Sequence, residues 1–182
     1  MISHLKEACL KCRMCELGRT IRGGYDSHVF SDHDPTYSSP QFMIIESAPG
    51  WAEVKERRPL AGRVGKSFED ELFVWDRTQF YITNAVKCHT EEPTPEQTEK
   101  CEPFLRMEIA IFKPKLVVTL GHVAFNMLCG EKFSECIGKI TRSEKFGIKV
   151  FAIHRPTVEN MPLFARDMKT LNRIMTYYLT PF

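Results

Sequence analysis

Short apolar runs alternate along this chain with longer stretches of helical periodicity. Phe42-Met43-Ile44-Ile45, Phe80-Tyr81-Ile82-Thr83, residues 115–120 and residues 148–153 are four such runs, each bounded by polar or turn residues. Runs of this length suit strands buried on both faces of a parallel sheet. Between them, apolar groups at helical spacing predict helices over 66–75, 96–112 (Phe104, Leu105, Ile109 and Phe112 on one side), 122–129 and 163–179. Residues 2–16 predict a short helix that breaks into a Cys-rich turn. Residues 17–41, rich in Gly, Asp, Ser and Pro, and 89–95, with Pro93 and Pro95, predict loops, and 130–147 a loop or hairpin. Strands alternating with helices predict an α/β fold: a three-layer αβα sandwich around a central four-stranded parallel sheet. The sequence shows neither an internal repeat nor a linker, so residues 1–182 are expected to form a single domain.

In such sheets the ligand sits beyond the carboxyl ends of the strands. That rule nominates Glu46 to Gly50, Asn84 to Lys87, Gly121-His122 and His154 to Pro156. The hydrophobic fraction of 43% and charged fraction of 26% are ordinary for a globular protein, and the net charge of +2 permits a local basic face without demanding one. Apolar runs stay well short of the roughly 18 residues needed to span a membrane. The polar, Cys-bearing start is unlike a signal peptide. A cytoplasmic, nucleoid-associated monomer is the expectation.

The seven cysteines are Cys9, Cys12, Cys15, Cys88, Cys101, Cys129 and Cys136. An odd number without a secretion signal argues against a disulfide framework and for a metal or cluster site. Cys9-x2-Cys12 is a chelating pair that two further cysteines, Cys88 and Cys101, would complete. Cys12-x2-Cys15 is an equally legal pair, and spacing leaves zinc and a 4Fe–4S cluster both open. Cys129 and Cys136, in or near apolar stretches, are read as buried inert thiols. Gly62 to Ser67 looks like the end of a phosphate-binding loop. The full motif needs a Gly where Leu60 stands, which argues against a nucleoside triphosphatase.

Taken in order, the motifs resemble the family 4, iron–sulfur branch of the uracil-DNA glycosylases over about residues 7–160. Glu7-Ala8-Cys9-x2-Cys12-Arg13-Met14-Cys15-Glu16 followed by Gly18-Arg19-Thr20 resembles the family's opening cluster motif, with Leu17 inserted. Ala48-Pro49-Gly50 resembles the end of its Gly-Glu-(Ala/Gly)-Pro-Gly motif, and Arg58 to Gly65 its Arg-Pro-Phe-Val-Gly-x-Ala-Gly. Tyr81 to Cys88 is the closest match. Pro93-Thr94-Pro95-Glu96 leading to Cys101, then Lys113 to Gly121, continue in family order.

The resemblance implies a 4Fe–4S cluster on Cys9, Cys12, Cys88 and Cys101, with Cys15 spare. It also implies hydrolytic removal of uracil, or a related modified base, from DNA in base excision repair. Flipping a base out of the duplex costs about a few kcal/mol. The Asn84 amide offers a donor and an acceptor to the base edge. Ala48, Pro49, Gly50 and Leu60 would line the base pocket, with Leu60 at the place of a stacking Phe. Glu46 stands at the family's first Gly and Ser47 at its Glu. The last motif, normally His-Pro, is His154-Arg155-Pro156, so either His154 or Arg155 would stabilise the anion that develops on the departing base. Lys66 and Ser67, at an expected helix start, and Lys139 and Arg142, in a loop resembling the one that enters the duplex, are the DNA-contact candidates. The altered first and last motifs raise an alternative: a DNA-binding accessory protein for replication or repair that keeps fold and cluster but has lost the chemistry.

Overall fold

The computed structural model describes residues 1–22, 24–32, 40–72, 79–130 and 132–179. In chain order these form α1 (Ile2–Leu10), a 3₁₀ turn (Leu17–Arg19), β1 (Ile21–Arg22), β2 (Tyr25–Asp26), β3 (Phe42–Glu46), α2 (Trp51–Glu56), α3 (Arg63–Asp70) and β4 (Phe80–Asn84). They continue as α4 (Pro95–Phe112), β5 (Leu116–Leu120), α5 (His122–Cys129), α6 (Phe133–Cys136), β6 (Ile140–Ser143), β7 (Ile148–Ile153) and α7 (Met161–Leu179). The four anticipated strands are present and mutually parallel, in the order β4-β3-β5-β7. A fifth strand, β6, pairs antiparallel outside β7, which makes the sheet mixed. It arises from the stretch anticipated as a loop or hairpin. Gly147, at φ 67°, turns the chain there, and its N–H donates to the Ser143 carbonyl.

Strand alternation sorts the core into two layers. Met43, Ile45, Tyr81, Val117, Val150 and Ala152 face Leu105 and Ile109 of α4 and Phe125 and Leu128 of α5. Phe42, Ile44, Phe80, Ile82, Val118 and Phe151 face Phe68 of α3 and Phe164, Met168, Leu171 and Met175 of α7. The result is helices on both sides of one sheet. No helix among the described residues is long and apolar enough to cross a membrane.

Helix boundaries follow local chemistry. Thr94 caps α4 by accepting from Gln97 N–H, the Gln97 side chain answers at Thr94 N–H, and Pro95 occupies the first helical position. The helix expected over 66–75 instead begins at Arg63, and the 73–78 part of that expectation lies outside the described residues. α2, not anticipated, buries only Val54, so its six residues carry no readable apolar period.

The loop expected over 17–41 contains the small β1–β2 ribbon. Beyond it, His28 and Asp32 bridge antiparallel to Cys88 and Ile82. This segment covers the outer edge of β4, which would otherwise expose unpaired backbone groups. It also carries the N-terminal cysteines to the middle of the chain.

Candidate active site and cysteine centre

The chain runs from β3 outward to β4, then crosses back to β5 on the other side of β3. The strand order therefore switches between β3 and β5, where doubly wound sheets open a crevice. A cleft of ≈ 220 Å³ lies there, lined by Glu46, Ala48, Gly50, Trp51, Glu53, Leu60, Gly62, Arg63, Val64 and Arg155. It is smaller than the roughly 300–1,000 Å³ of drug-sized sites and suits a compact ligand.

Glu46 ends β3 and is buried. Its Oε1 accepts from Arg155 Nε at 2.7 Å and from Ser47 Oγ at 3.1 Å, and its Oε2 accepts from Ala48 N–H at 3.1 Å. Burial pushes its pKa above the usual carboxylate range, although the Arg155 guanidinium and these donors oppose the rise. Asn84 is the register partner of Glu46 on β4, so both side chains stand on the same face of the sheet. Asn84 is buried, and neither its Oδ1 nor its Nδ2 has a hydrogen-bond partner among the described residues. An amide left unpaired in an interior costs about 1–3 kcal/mol, and such an atom calls for an explanation in function.

His154 and Arg155 have different partners. Asp167 of α7 receives both the His154 backbone N–H, at 3.0 Å, and the His154 ring Nδ1, at 2.6 Å. That ring is turned to a neighbouring pocket with Ser47, Gly121 and Phe133. Arg155 lines both that pocket and the cleft, and its Nε donates to Glu46.

Leu60 is buried in the cleft wall at φ 51°, a left-handed conformation unusual for a branched side chain. Gly65 makes this turn possible, since a Cβ there would lie 1.8 Å from the Leu60 carbonyl oxygen. The Glu53 carboxylate accepts from Gly50 N–H at 3.0 Å and from Gly62 N–H at 2.7 Å, tying together the two loops that form the cleft. Pro49 stands behind the rim, its carbonyl bonded to the His89 ring.

On the opposite face lies a second polar cluster. Lys87 Nζ donates to Glu108 Oε2 (2.6 Å), Thr83 Oγ1 (2.6 Å) and the Asn84 carbonyl (2.8 Å). Tyr81 and Thr83 donate to the other Glu108 oxygen, each at 3.0 Å. All these side chains are buried.

The cysteines gather beside this network. Cys9, Cys15, Cys88 and Cys101 are buried, Cys12 is half-buried, and all are free thiols. Burial pushes Cys9 up to about 12 and raises Cys88 and Cys101 as well. The Lys87 ammonium opposes the rise at Cys9, and the Lys87 backbone N–H and ammonium oppose it at Cys101. Neighbouring thiols add to the rise: Cys101 and Cys12 at Cys9, Cys101, Cys15 and Cys9 at Cys88, and Cys15 and Cys12 at Cys101. Among the described residues no three side chains are already drawn into metal-ligand geometry. The donor set is nonetheless thiol-rich and held near a fixed cation, which suits an anionic iron–sulfur centre. His28 buttresses it: the backbone bridges to Cys88, ring Nε2 lies 3.0 Å from the Cys12 carbonyl, and ring Nδ1 pairs with Asp26.

The description of the uracil DNA glycosylase superfamily matches residues 35–172. This chain belongs to the uracil-DNA glycosylase superfamily. Its relatives include type-4 uracil-DNA glycosylases. That of Archaeoglobus fulgidus is 31% identical over 160 residues, 81% of this chain and 77% of the relative. That of Sulfurisphaera tokodaii is 30% identical over 142 residues, 73% of this chain and 61% of the relative. That of Pyrobaculum aerophilum is 31% identical over 119 residues, 59% of this chain and 61% of the relative. The chain thus spans under two thirds of the Sulfurisphaera and Pyrobaculum relatives it matches.

Within this fold, Glu46, Ala48, Gly50, Leu60 and Arg155 meet at one cleft; Asn84 is the buried strand partner of Glu46 and is not itself in the cleft lining. The DNA-contact candidates are more scattered. Lys66 and Ser67 are not at a helix start: α3 begins at Arg63, because extended Gly62 ends the preceding turn and its carbonyl accepts from Lys66 N–H. Lys139 precedes β6 and donates to the Glu135 carbonyl, while Arg142 lies within β6 and pairs with Glu144. Neither lines the cleft. Sequence reasoning missed Trp51, Glu53 and Asp167. Glu53 had a readable signal, since an acidic side chain three residues after Gly50 has the spacing of an N-terminal cap. Asp167 had none, because its partner is thirteen residues away on another element.

Proposed function

We propose that this protein hydrolyses the N-glycosidic bond of uracil, or a closely related base, flipped out of DNA. The observation that carries the reading is the Glu46–Asn84 register pair at the strand ends: a buried carboxylate beside a buried amide whose donor and acceptor are both unspent. The amide can read a pyrimidine edge that presents both an acceptor and an N–H. Glu46 accepts a proton from the attacking water as oxygen bonds to the sugar C1′. The C1′–N bond breaks with its electron pair passing to the base. The Arg155 guanidinium, whose terminal nitrogens remain beyond its Nε bond to Glu46, donates to the oxygen of the anionic base. His154, oriented by Asp167, and Ser47 flank the same strand ends.

Cys88 and Cys101, with two of Cys9, Cys12 and Cys15, would hold a 4Fe–4S cluster. The set Cys9, Cys12, Cys88 and Cys101 follows from the family register, and Cys15 is near enough to Cys88 and Cys101 to influence both. Bound there, a cluster supplies a cross-link between the chain's start and its middle, and an electron-transfer centre.

The test is uracil release from single-stranded and duplex oligonucleotides by the cluster-loaded protein, with Asn84→Ala as the control. Release that Asn84→Ala abolishes supports the reading. Salt-dependent DNA binding with no release from any substrate overturns it in favour of a non-catalytic member of the fold. Single Cys→Ser variants at positions 9, 12 and 15, assayed for iron and sulfide, identify the ligands.

A further inference from the structure

The chemistry above leaves the outer wall of the cleft unused. Trp51 opens α2 directly after the Ala48-Pro49-Gly50 turn and lines the cleft alongside Glu46, Leu60 and Arg63. It is 42% exposed, a large apolar surface to leave in water. Its position is nevertheless fixed. One side packs on the His89 ring, centroids 4.4 Å apart. His89 is held through Nδ1 to the Pro49 carbonyl at 2.8 Å and through its backbone N–H to the Ser27 carbonyl at 3.0 Å. The turn that carries Trp51 is clamped by Glu53 through Gly50 and Gly62. Arg63, on the same rim, and Lys66, three residues further along α3, are exposed, and neither makes an ion pair among the described residues. A rigid aromatic face next to unneutralised cations is the combination that holds single-stranded nucleic acid: bases stack on the ring and phosphates meet the charges.

We propose that Trp51 is the stacking platform for the nucleobase adjoining the flipped one, with Arg63 and Lys66 on the neighbouring phosphates. The inference rests on the glycosylase reading for the identity of the flipped base. A base inside a duplex already has both faces stacked on its neighbours, whereas an unpaired strand offers a free face to the indole. The platform therefore favours uracil in single-stranded DNA.

The test uses the full cluster-loaded chain and a labelled single-stranded oligonucleotide carrying one uracil, with the matched duplex and a uracil-free strand beside it. Affinity is read by anisotropy at fixed salt, and KM and kcat by base release. Trp51→Ala is expected to weaken single-strand binding roughly tenfold and to raise KM more than it lowers kcat. Trp51→Phe keeps most of the affinity, and duplex binding changes less. Trp51→Ala binding the single strand as tightly as the unaltered chain overturns the proposal, as does Trp51→Phe binding as weakly as Trp51→Ala. Because affinity for the uracil-free strand is measured without turnover, absence of uracil release would sink the glycosylase reading while binding still decides the platform.

Discussion

Among the described residues, a carboxylate buried against the sheet meets a cation on each face. On the α4 side, Lys87 and Glu108 are both buried, and the Lys87 ammonium spends its donors on Glu108, Thr83 and the Asn84 carbonyl. On the α7 side, Glu46 is buried but its partner Arg155 is 44% exposed and reaches in from the cleft mouth. The first pair is saturated and dry. The second has a carboxylate whose proton affinity is raised by burial and an arm with spare donors facing solvent. Complete satisfaction locks a structure in place. Partial satisfaction next to an unpaired amide leaves capacity for a ligand. The two are connected: Lys87 holds the backbone of Asn84 and donates its own N–H toward Cys101, so the frame of the base cleft and the cysteine centre share one residue.

Breaking the saturated pair should have the largest effect. Glu108→Ala strands a buried ammonium and should cost about 3–5 kcal/mol, read by urea unfolding. The double substitution Lys87→Met with Glu108→Leu should recover much of that loss. Equal instability of single and double variants would show that the charges are not what matters.

Glu46→Gln should do the reverse, leaving stability unchanged or raised while base release falls by about 10²-fold or more in single-turnover assays. The sign follows from linkage. A carboxyl whose folded pKa is raised adds stability only at low pH and loses it as pH rises, so the charged form is a liability near neutrality. A loss of stability comparable to that of Glu108→Ala would erase the distinction between the pairs.

Arg155→Met should slow release by about 10²-fold through the lost oxyanion donor. It should also shift the pH profile. If ionised Glu46 is the base, activity rises with pH through a pKa above the ordinary glutamate range. Removing the guanidinium, which lowers that pKa, moves the limb to still higher pH. A profile that does not move would remove Glu46 from this role.

The smallest effect is expected at the far edge of the sheet. Arg142→Ala, on β6 and paired with Glu144, should change DNA affinity less than about twofold, since its guanidinium is already met by a carboxylate and lies away from the cleft. A tenfold loss would move the DNA interface to that edge.

Much of the fold was legible because buried parallel strands are short, continuous and apolar, and Phe42–Glu46, Phe80–Asn84, Leu116–Leu120 and Ile148–Ile153 all have that form. β6 was only partly legible. Its burial alternates weakly at a solvent edge, so the run Ile140–Ser143 reads as polar loop. The short helix α2 hid for the same reason, and α3 was displaced because Gly62, whose carbonyl starts the helix, was read as part of a phosphate-loop remnant. Within the site, strand-end positions could be nominated from the sequence, but the partners of their side chains could not.

The order of the motifs along the chain is enough to specify a layered α/β fold, a thiol-rich set and the strand ends that are candidates for the site, because apolar period and turn chemistry act locally. That Arg155 rather than His154 bonds Glu46, and that Glu46 rather than Ser47 is the strand partner of Asn84, is visible only in the tertiary structure. Successive residues at a strand end point to opposite faces, so a shift of one position exchanges the roles of neighbours. Asp167 holds the His154 ring and Lys87 the Asn84 carbonyl from other parts of the chain.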